Sequence, residues 1–395
     1  MRWIGWTALV LTACTAHSDG GMTGSSLTVV DSAGVEIAEY TGGASAAQWV
    51  VAETADLTIP ASGSGYDLFD IRDVEILADG ELAVLNSGAH QVLVFGVDGT
   101  LLEVIGRRGE GPGEFVRPSF LAVVDDSLLV SDLANGRITV YSPSRDEVAR
   151  TFSLETPPTP PPYSFPIGIT NRLILARQGE VPAMPETDLG TRFLPIRILV
   201  FDMEGRLQTS WHAPGVSEFF IVELNQRKLP RSPPLGIRTF LDVESDGLVL
   251  ARSDAHEIRS FQPDGSLSRV LRQSTPPPLL DASTVAAAGE AWIAQARDEG
   301  AAEARRKIFP LFPVPDHAHP VKDLKVDRLG HHWLEVGSSE DVRRWQVYHQ
   351  NTLVGRVDIP ADLVVHEIGV DFILGVWTDG VGAEHVVRHE LTRER

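Results

Sequence analysis

Four cations stand near the starts of recurring strand-like segments in a chain of formal charge −20: Arg72, Arg117, Arg238 and Lys322. Brought to one axis they would focus positive potential in an otherwise acidic protein. Arg forks there would suit a small carboxylate or sugar acid. Asp70, Asp73, Asp242 and Asp323 fall near the same starts. Carboxylates converging with Asn and Glu could hold a hard cation, but Asn is nearly absent from these segments, with Asn171 the exception. His317-Ala318-His319, preceded by Asp316, could set two imidazoles on one side of an extended segment. Zinc wants three or four ligands and the spacing offers no further partner, so a polar loop is the competing reading.

Searches for reactive sets find none. There is no Gly-x-Ser-x-Gly elbow. His256-Glu257, His366-Glu367 and His389-Glu390 each lack the second His of a zinc-protease helix. No EF-hand spacing fits. No cofactor or metal is expected.

The segments that would position these residues repeat. Residues 92–95 form a predicted strand, Asp98-Gly99 a turn, and residues 101–105 a second strand. The unit returns at 138–141, 198–201 and 258–261. An acidic residue and Gly follow the aromatic position in three copies, at Asp98-Gly99, Glu204-Gly205 and Asp264-Gly265. Such a unit buries its apolar faces by stacking on copies of itself. Complete units are predicted over 73–106, 120–154, from about 167, over 240–272 and over 323–359, each of four antiparallel strands. A last unit, 365–392, is one strand short, while β-like segments 27–40 and 49–59 precede the first. An early strand pairing into the last unit would close the ring and remove its edge. The expected fold is therefore all-β: a six-bladed β-propeller of four-stranded blades, spanning 27–395.

Gly106-Arg-Arg-Gly-Glu-Gly-Pro-Gly-Glu-Phe115 links the first two units. Its glycines suit a chain that must cross from an outermost strand to the next innermost one, and Pro112 stiffens the path. Phosphate cradling is disfavoured because Glu114 replaces the third Gly and a strand follows. Aligning the units pairs Asn86 with Gln91, Asp132 with Arg137, and Arg252 with Glu257. The exchange of charge predicts contacts across a hairpin, so these are read as struts rather than site residues.

Three insertions interrupt the period. Residues 178–195 and 213–235 are Pro-rich and read as irregular. Residues 274–320 are the longest, and within them 281–307 is Ala-rich without Pro. Asp281 and Ser283 suit the start of one helix and Arg305-Arg306-Lys307 its end. That helix is expected to lie across one face of the ring, where long loops on a rigid scaffold place binding.

The whole chain has 395 residues, 43% hydrophobic, and a single cysteine, Cys14. That excludes an internal disulfide and a cysteine metal cluster. The acidic balance argues against nucleic acid and anionic lipid surfaces as partners. Arg2 and the short apolar run 3–11, then Leu11-Thr12-Ala13-Cys14, read as an export signal too short to span a bilayer. This stretch resembles the lipobox of bacterial lipoproteins. The resemblance implies a signal peptide over 1–14 and lipidation of Cys14. Residues 15–26 read as a flexible tether reaching about 40 Å. Thr15 rather than Asp after the lipid site implies, by the same resemblance, the outer membrane or its periplasmic face.

Residues 106–115 and Val130-Ser131-Asp132-Leu133-Ala134-Asn135-Gly136-Arg137-Ile138 resemble NHL/TolB-like six-bladed β-propellers, in particular bacterial lipoproteins of uncharacterised function. The likeness is strong over 70–155, fair over 196–272 and weak over 275–395. It implies the fold and fixes no activity. The expected role is an extracytoplasmic binding module, held to a membrane by its lipid alone, for a protein, peptide or carbohydrate ligand. The alternative is a hydrolase or lyase in the channel, which could be calcium-dependent like the related gluconolactonase-type enzymes.

Overall fold

The computed structural model describes residues 26–41, 46–156, 164–179, 189–224 and 227–393. Cys14, the expected signal segment and nearly all of the tether lie outside the described residues. The rest is a six-bladed β-propeller. Blade I contains Ile71–Ile76, Leu82–Asn86, Gln91–Phe95 and Leu101–Ile105. Blade II contains Pro118–Val124, Ser127–Asp132, Arg137–Tyr141 and Val148–Phe152. Blade III is built on Ser164–Thr170, Leu173–Gly179, Gly190–Asp202 and Leu207–Leu224. Blade IV holds Thr239–Glu244, Gly247–Arg252, Glu257–Phe261 and Leu267–Gln273. Blade V holds Asp323–Val326, His332–Ser338, Val342–His349 and Thr352–Pro360.

Blade VI takes three strands from the end of the chain, Leu363–Ile368, Phe372–Thr378 and Glu384–Thr392. Its fourth is the early strand Leu57–Ile59, antiparallel to residues 386–388. The ring therefore closes by the expected borrowing, which leaves no open edge at the seam. Where a sheet is packed tightly between two others, its second and third strands are apolar on both faces. Leu82 to Leu85 and Val92 to Phe95, for example, are all fully buried.

More of the early chain is used than the closing strand. The hairpin Ser26–Ser32/Val35–Thr41 adds to blade IV, with its second strand parallel to 269–273. Ala47–Val51 then lies between blades V and VI, parallel to 355–357 and antiparallel to 391–392. Residues 26–41 and 46–59 thus form a strap over three consecutive blades. The indole of Trp49 lies on Gly355, where a Cβ would stand 2.6 Å from the ring.

Two expectations need correction. Of the insertions at 178–195 and 213–235, residues 180–188 and 225–226 lie outside the described residues, and 190–195, 213–224 and 227–231 are not irregular. They extend blade III as a β arm in which 190–195 pair with 216–221 and 220–224 with 227–231. The inserted helix is two helices, α1 (Ala282–Ala294) and α2 (Glu299–Ile308). The Asp281 carboxylate caps α1 at the Thr284 N–H, 2.7 Å, and Asp298 caps α2 at the Ala301 N–H, 2.7 Å. The second cap is a start signal inside the Ala-rich run, and it divides the run. No helix among the described residues is long and apolar enough to cross a membrane.

Candidate functional site

In each blade the links between the second and third strands, and from the fourth strand to the next blade, leave on one face. Tight turns occupy the other. The arm of blade III and the α1–α2 insertion between blades IV and V both rise from the linker face. They share a core of their own: Val222, Ile308 and Phe312, flanked by Phe220, Leu224, Leu229, Trp292 and Phe309. Phe312 meets Trp292 and Phe220 edge-on at 5.3 and 5.7 Å. Gly289 lets the Phe309 ring approach α1, where a Cβ would stand 2.6 Å away. The result is a cap over one sector of the linker face, built from two insertions far apart in sequence.

A cleft of about 630 Å³ lies under the cap. The arm contributes Thr191, Phe193 and Glu218; the link into blade IV contributes Leu235 and Ile237; the segment leaving the helices contributes Pro313 to His319. A recess of about 170 Å³ shares Leu235, Pro315, His317, Ala318 and His319 with it and reaches inward to Arg238, Phe240, Ser253, Val321 and Lys322. The structure therefore brings two of the four singled-out cations, Arg238 and Lys322, into one recess. Arg72 and Arg117 do not line it. Arg72 pairs with Asp70 at 2.7 Å at the start of blade I. Arg117 starts blade II, where its N–H donates to Asp132 Oδ1 at 3.1 Å.

Ser253 organises the recess. The Arg238 N–H donates to Ser253 Oγ at 2.9 Å, and that hydroxyl lies 3.1 Å from His319 Nδ1. Burial lowers the His319 pKa, keeping the ring neutral at pH 7, despite Asp254. The two histidines go to separate partners: His317 Nδ1 is 2.9 Å from the Pro277 carbonyl. Burial also lowers the Lys322 pKa, against the pull of Glu335. Glu335 is a residue that the spacing pattern did not single out. It is buried, and its carboxyl is pushed up to about 7 by burial and Asp323, opposed by Arg343 and Lys322. Aligning the blades on their second strands would have found it, because Glu335 occupies the place of Leu85, Ser131 and Ala251.

The inner-strand carboxylates behave differently from a cation site. Asp73 Oδ2 accepts from the Leu121 N–H of blade II at 3.1 Å, and Asp242 Oδ2 from the Val326 N–H of blade V at 2.7 Å. Glu367 Oε2 accepts from the Ile76 N–H of blade I at 3.1 Å and also pairs with Arg328. Each carboxylate ties one blade to its neighbour. Burial and the charges of Asp73 and Glu367 raise the Glu75 pKa well above the usual carboxylate range. Among the described residues, no group of three or more His, Cys, Asp or Glu is arranged to hold a metal ion.

The glycine-rich link is structural. Arg137 donates to the carbonyls of Glu110 (2.8 Å), Gly111 and Glu114 (3.0 Å). Glu114 Oε2 takes the Gly111 N–H at 2.9 Å, which a bound phosphate would need. Asp132 accepts from Val116, Arg117, Ala134 and Asn135. Asp132 and Arg137 do face each other in register, yet each braces the link rather than its partner. Arg252 likewise pairs with Asp254 at 2.6 Å, and Glu257 with Arg259, so the expected contact between Arg252 and Glu257 is replaced.

Comparisons with known proteins agree on the architecture. The family DUF5128, described as a 6-bladed beta-propeller, matches residues 66–155, which span blades I and II. A Bacteroides fragilis protein described as exported superposes with a TM-score of 0.50 at 9% identity, covering 91% of this chain and 100% of its own. A DUF4221 family member from Bacteroides vulgatus superposes with a TM-score of 0.50 at 12% identity, covering 87% and 99%. At such identities the likeness carries the fold alone. No curated protein matches the chain.

Proposed function

We propose that this chain is an extracytoplasmic binding module, a β-propeller that takes a protein, peptide or glycan ligand into the capped cleft of its linker face. The observation that carries the reading is the cleft itself. Two unrelated insertions converge on one face and pack into a common core. Between them and the ring they leave an apolar groove that ends in a cationic recess. A groove with a few convergent polar groups is the form that ligand sites take.

The same proposal places the module in the cell envelope, held by a lipid on Cys14 at the outer membrane or its periplasmic face. The lipobox-like Leu11 to Cys14 supports this, as does the description of a similar fold as an exported protein. Loss of membrane association and of acyl labelling in Cys14→Ser tests the anchor.

A photocrosslinker at Phe193 or Val314, in cells at native expression, tests the cleft. Adducts are expected there and not from a crosslinker at Asp98 in a turn of the opposite face. Equal adducts from both positions would overturn the reading.

Glu335 favours a second reading, a channel hydrolase or lyase. A carboxyl pushed up to about 7 beside Lys322 is poised for proton transfer near neutral pH. Turnover of an ester or lactone panel that disappears in Glu335→Gln would support it.

A further inference from the structure

We infer that the recess at the inner end of the cleft is a carboxylate-binding subsite. It takes the free carboxylate of a ligand whose apolar body lies along Phe193, Ile237 and Val314. The inference rests on the cleft being a ligand site and adds the chemical class of the ligand.

Charge accounting leads there. Several cations elsewhere in the ring meet carboxylates, as Arg145 meets Glu81 at 2.7 Å and Glu103 at 3.1 Å and Arg388 meets Asp56 at 2.7 Å, and others are held by carbonyls, as Arg343 is by Ala361 and Leu363. In the recess, the guanidinium of Arg238 and the ammonium of Lys322 make no hydrogen bond or ion pair with the described residues. The neighbouring carboxylates are engaged. Asp254 is held by Arg252 at 2.6 Å, and Glu218 Oε2 accepts from the Ile237 N–H at 2.7 Å. Asp316 lies toward the outer cleft, away from the recess lining. Asp323 and its register partner Glu335 are the remaining acids near Lys322; Asp323 Oδ1 accepts from the Leu324 N–H at 2.8 Å, and the Glu335 carboxyl is pushed up to about 7 by burial, which reduces its charge at neutral pH.

His319 adds a neutral donor by a chain of hydrogen bonds. Ser253 Oγ accepts the Arg238 N–H, and its proton can be donated to His319 Nδ1, 3.1 Å away, in the Nε2–H tautomer of the ring. A neutral ring that accepts at Nδ1 carries its proton on Nε2. The recess thus offers a guanidinium fork, an ammonium and an imidazole N–H. Phe240, Leu280, Pro315 and Val321 form apolar walls beside them. Apolar walls strengthen charge-assisted hydrogen bonds by excluding water. Two cations, partly offset by Glu335, match one negative charge. The adjoining groove offers Phe193, Leu235, Ile237, Pro277, Pro313 and Val314 to the rest of the molecule.

Calorimetry on the full chain carrying Cys14→Ser tests this with two probes. One is octanoate. The other is an acetylated Pro-Ala-Leu tripeptide, as free acid and as C-terminal amide. At least one free carboxylate should bind, and the acid form should exceed its amide by about tenfold or more. Arg238→Gln should weaken the acid by a similar factor at unchanged melting temperature, Lys322→Gln should act the same way, and Arg297→Gln on the cap should change nothing. Binding of octanoate alone assigns an acyl-chain acid, and binding of the tripeptide alone assigns a peptide terminus. Equal affinity for acid and amide would sink the subsite while leaving the cleft reading intact. No binding of either probe sinks the subsite too, and crosslinks confined to Phe193 and Val314 would then show whether the cleft reading survives. Inorganic phosphate binding more tightly than both carboxylates would also overturn it.

Discussion

Arg393, near the end of the chain, donates from Nη1 to the buried Asp327 Oδ2 at 2.8 Å in the first turn of blade V. Its guanidinium also lies 4.8 Å over the ring of Trp49, which comes from the strap. The strap and the last blade therefore meet at the Arg393 guanidinium, whose buried partner Asp327 also accepts from His331 Nδ1 and Trp333 Nε1. Burial pushes the Asp327 carboxyl up, and these hydrogen bonds with the Arg393 charge outweigh it, so its pKa is lowered. Arg393→Ala should cost about 3 kcal/mol, because it leaves a buried charge short of a partner. A depressed pKa contributes stability that is present above the unfolded carboxylate value and lost as pH falls through the folded one. Melting curves of wild type and Asp327→Asn should therefore converge below about pH 4 and separate above it. Parallel curves across that range would refute the coupling.

Ring closure hangs on a three-residue strand. Ile59 pairs with Val386 and is fully buried in a cluster that includes Leu82, Val84, Leu374 and Val376. Removing its side chain should cost about 2–5 kcal/mol. The loss is expected as faster exchange of amides 386–388 before the rest of the ring, read by hydrogen exchange. Uniform protection in Ile59→Ala would show that the seam does not depend on this strand.

Gly106 starts the link between blades I and II with φ +83, and a Cβ there would overlap the Phe115 ring. Phe115 is fully buried. Gly106→Ala must therefore bear both left-handed strain and a displaced core ring, about 3 kcal/mol together. Gly136→Ala is the control, since a Cβ at Gly136 meets nothing within 4 Å despite φ +62. A smaller loss at Gly106 than at Gly136 by chemical denaturation would contradict this account.

The blades were legible because their signals are local. The aromatic residue, the acidic-Gly turn and the following strand recur within one unit, and the short last blade implied a borrowed strand. The cap was not legible for the opposite reason. Phe220 and Trp292 meet only through the shared core with Phe312, across some seventy residues of sequence, and Pro214 and Pro230 sit inside arm strands that composition reads as loop. A ribbon can carry Pro at a register shift or an edge, and the pairing does shift between Pro195 and Ile196. The recess was half legible. Arg238 and Lys322 were visible as cations at strand starts, whereas Glu335 was hidden inside the apolar run of a second strand.

The cap has its own core and should open as a unit. Trp292 packs on Phe312 at 5.3 Å, and Arg305 lies 5.1 Å over its ring. Truncating a half-buried Trp in such a cluster costs less than the about 3–5 kcal/mol of a fully buried one, on the order of 2 kcal/mol. That loss falls on a small lobe rather than on the ring. Trp292→Ala should therefore produce an early transition by calorimetry, with proteolysis confined to 274–320, while the main transition keeps its temperature. A single transition shifted downward as a whole would mean that cap and ring unfold together.

Ligand affinity in the recess should depend on the protonation of Glu335. Its pKa is raised to about 7 by burial, with Asp323 adding to the rise and Arg343 and Lys322 opposing it. As pH rises through 7, Glu335 gains its charge beside Lys322 and competes with an incoming carboxylate. Burial lowers the His319 pKa from its ordinary value, so that ring sheds its charge on the acid side of this change. Asp254 stays paired with Arg252. Affinity for the free-acid probe should therefore fall between about pH 6 and pH 8, and Glu335→Gln should flatten the profile. Stability has the same sign. A carboxyl raised from its unfolded value costs stability at pH above that value, so the Gln variant should melt higher than wild type at pH 8 and nearly alike at pH 4. An unchanged pH profile in Glu335→Gln, together with wild-type melting at pH 8, would remove Glu335 from the site.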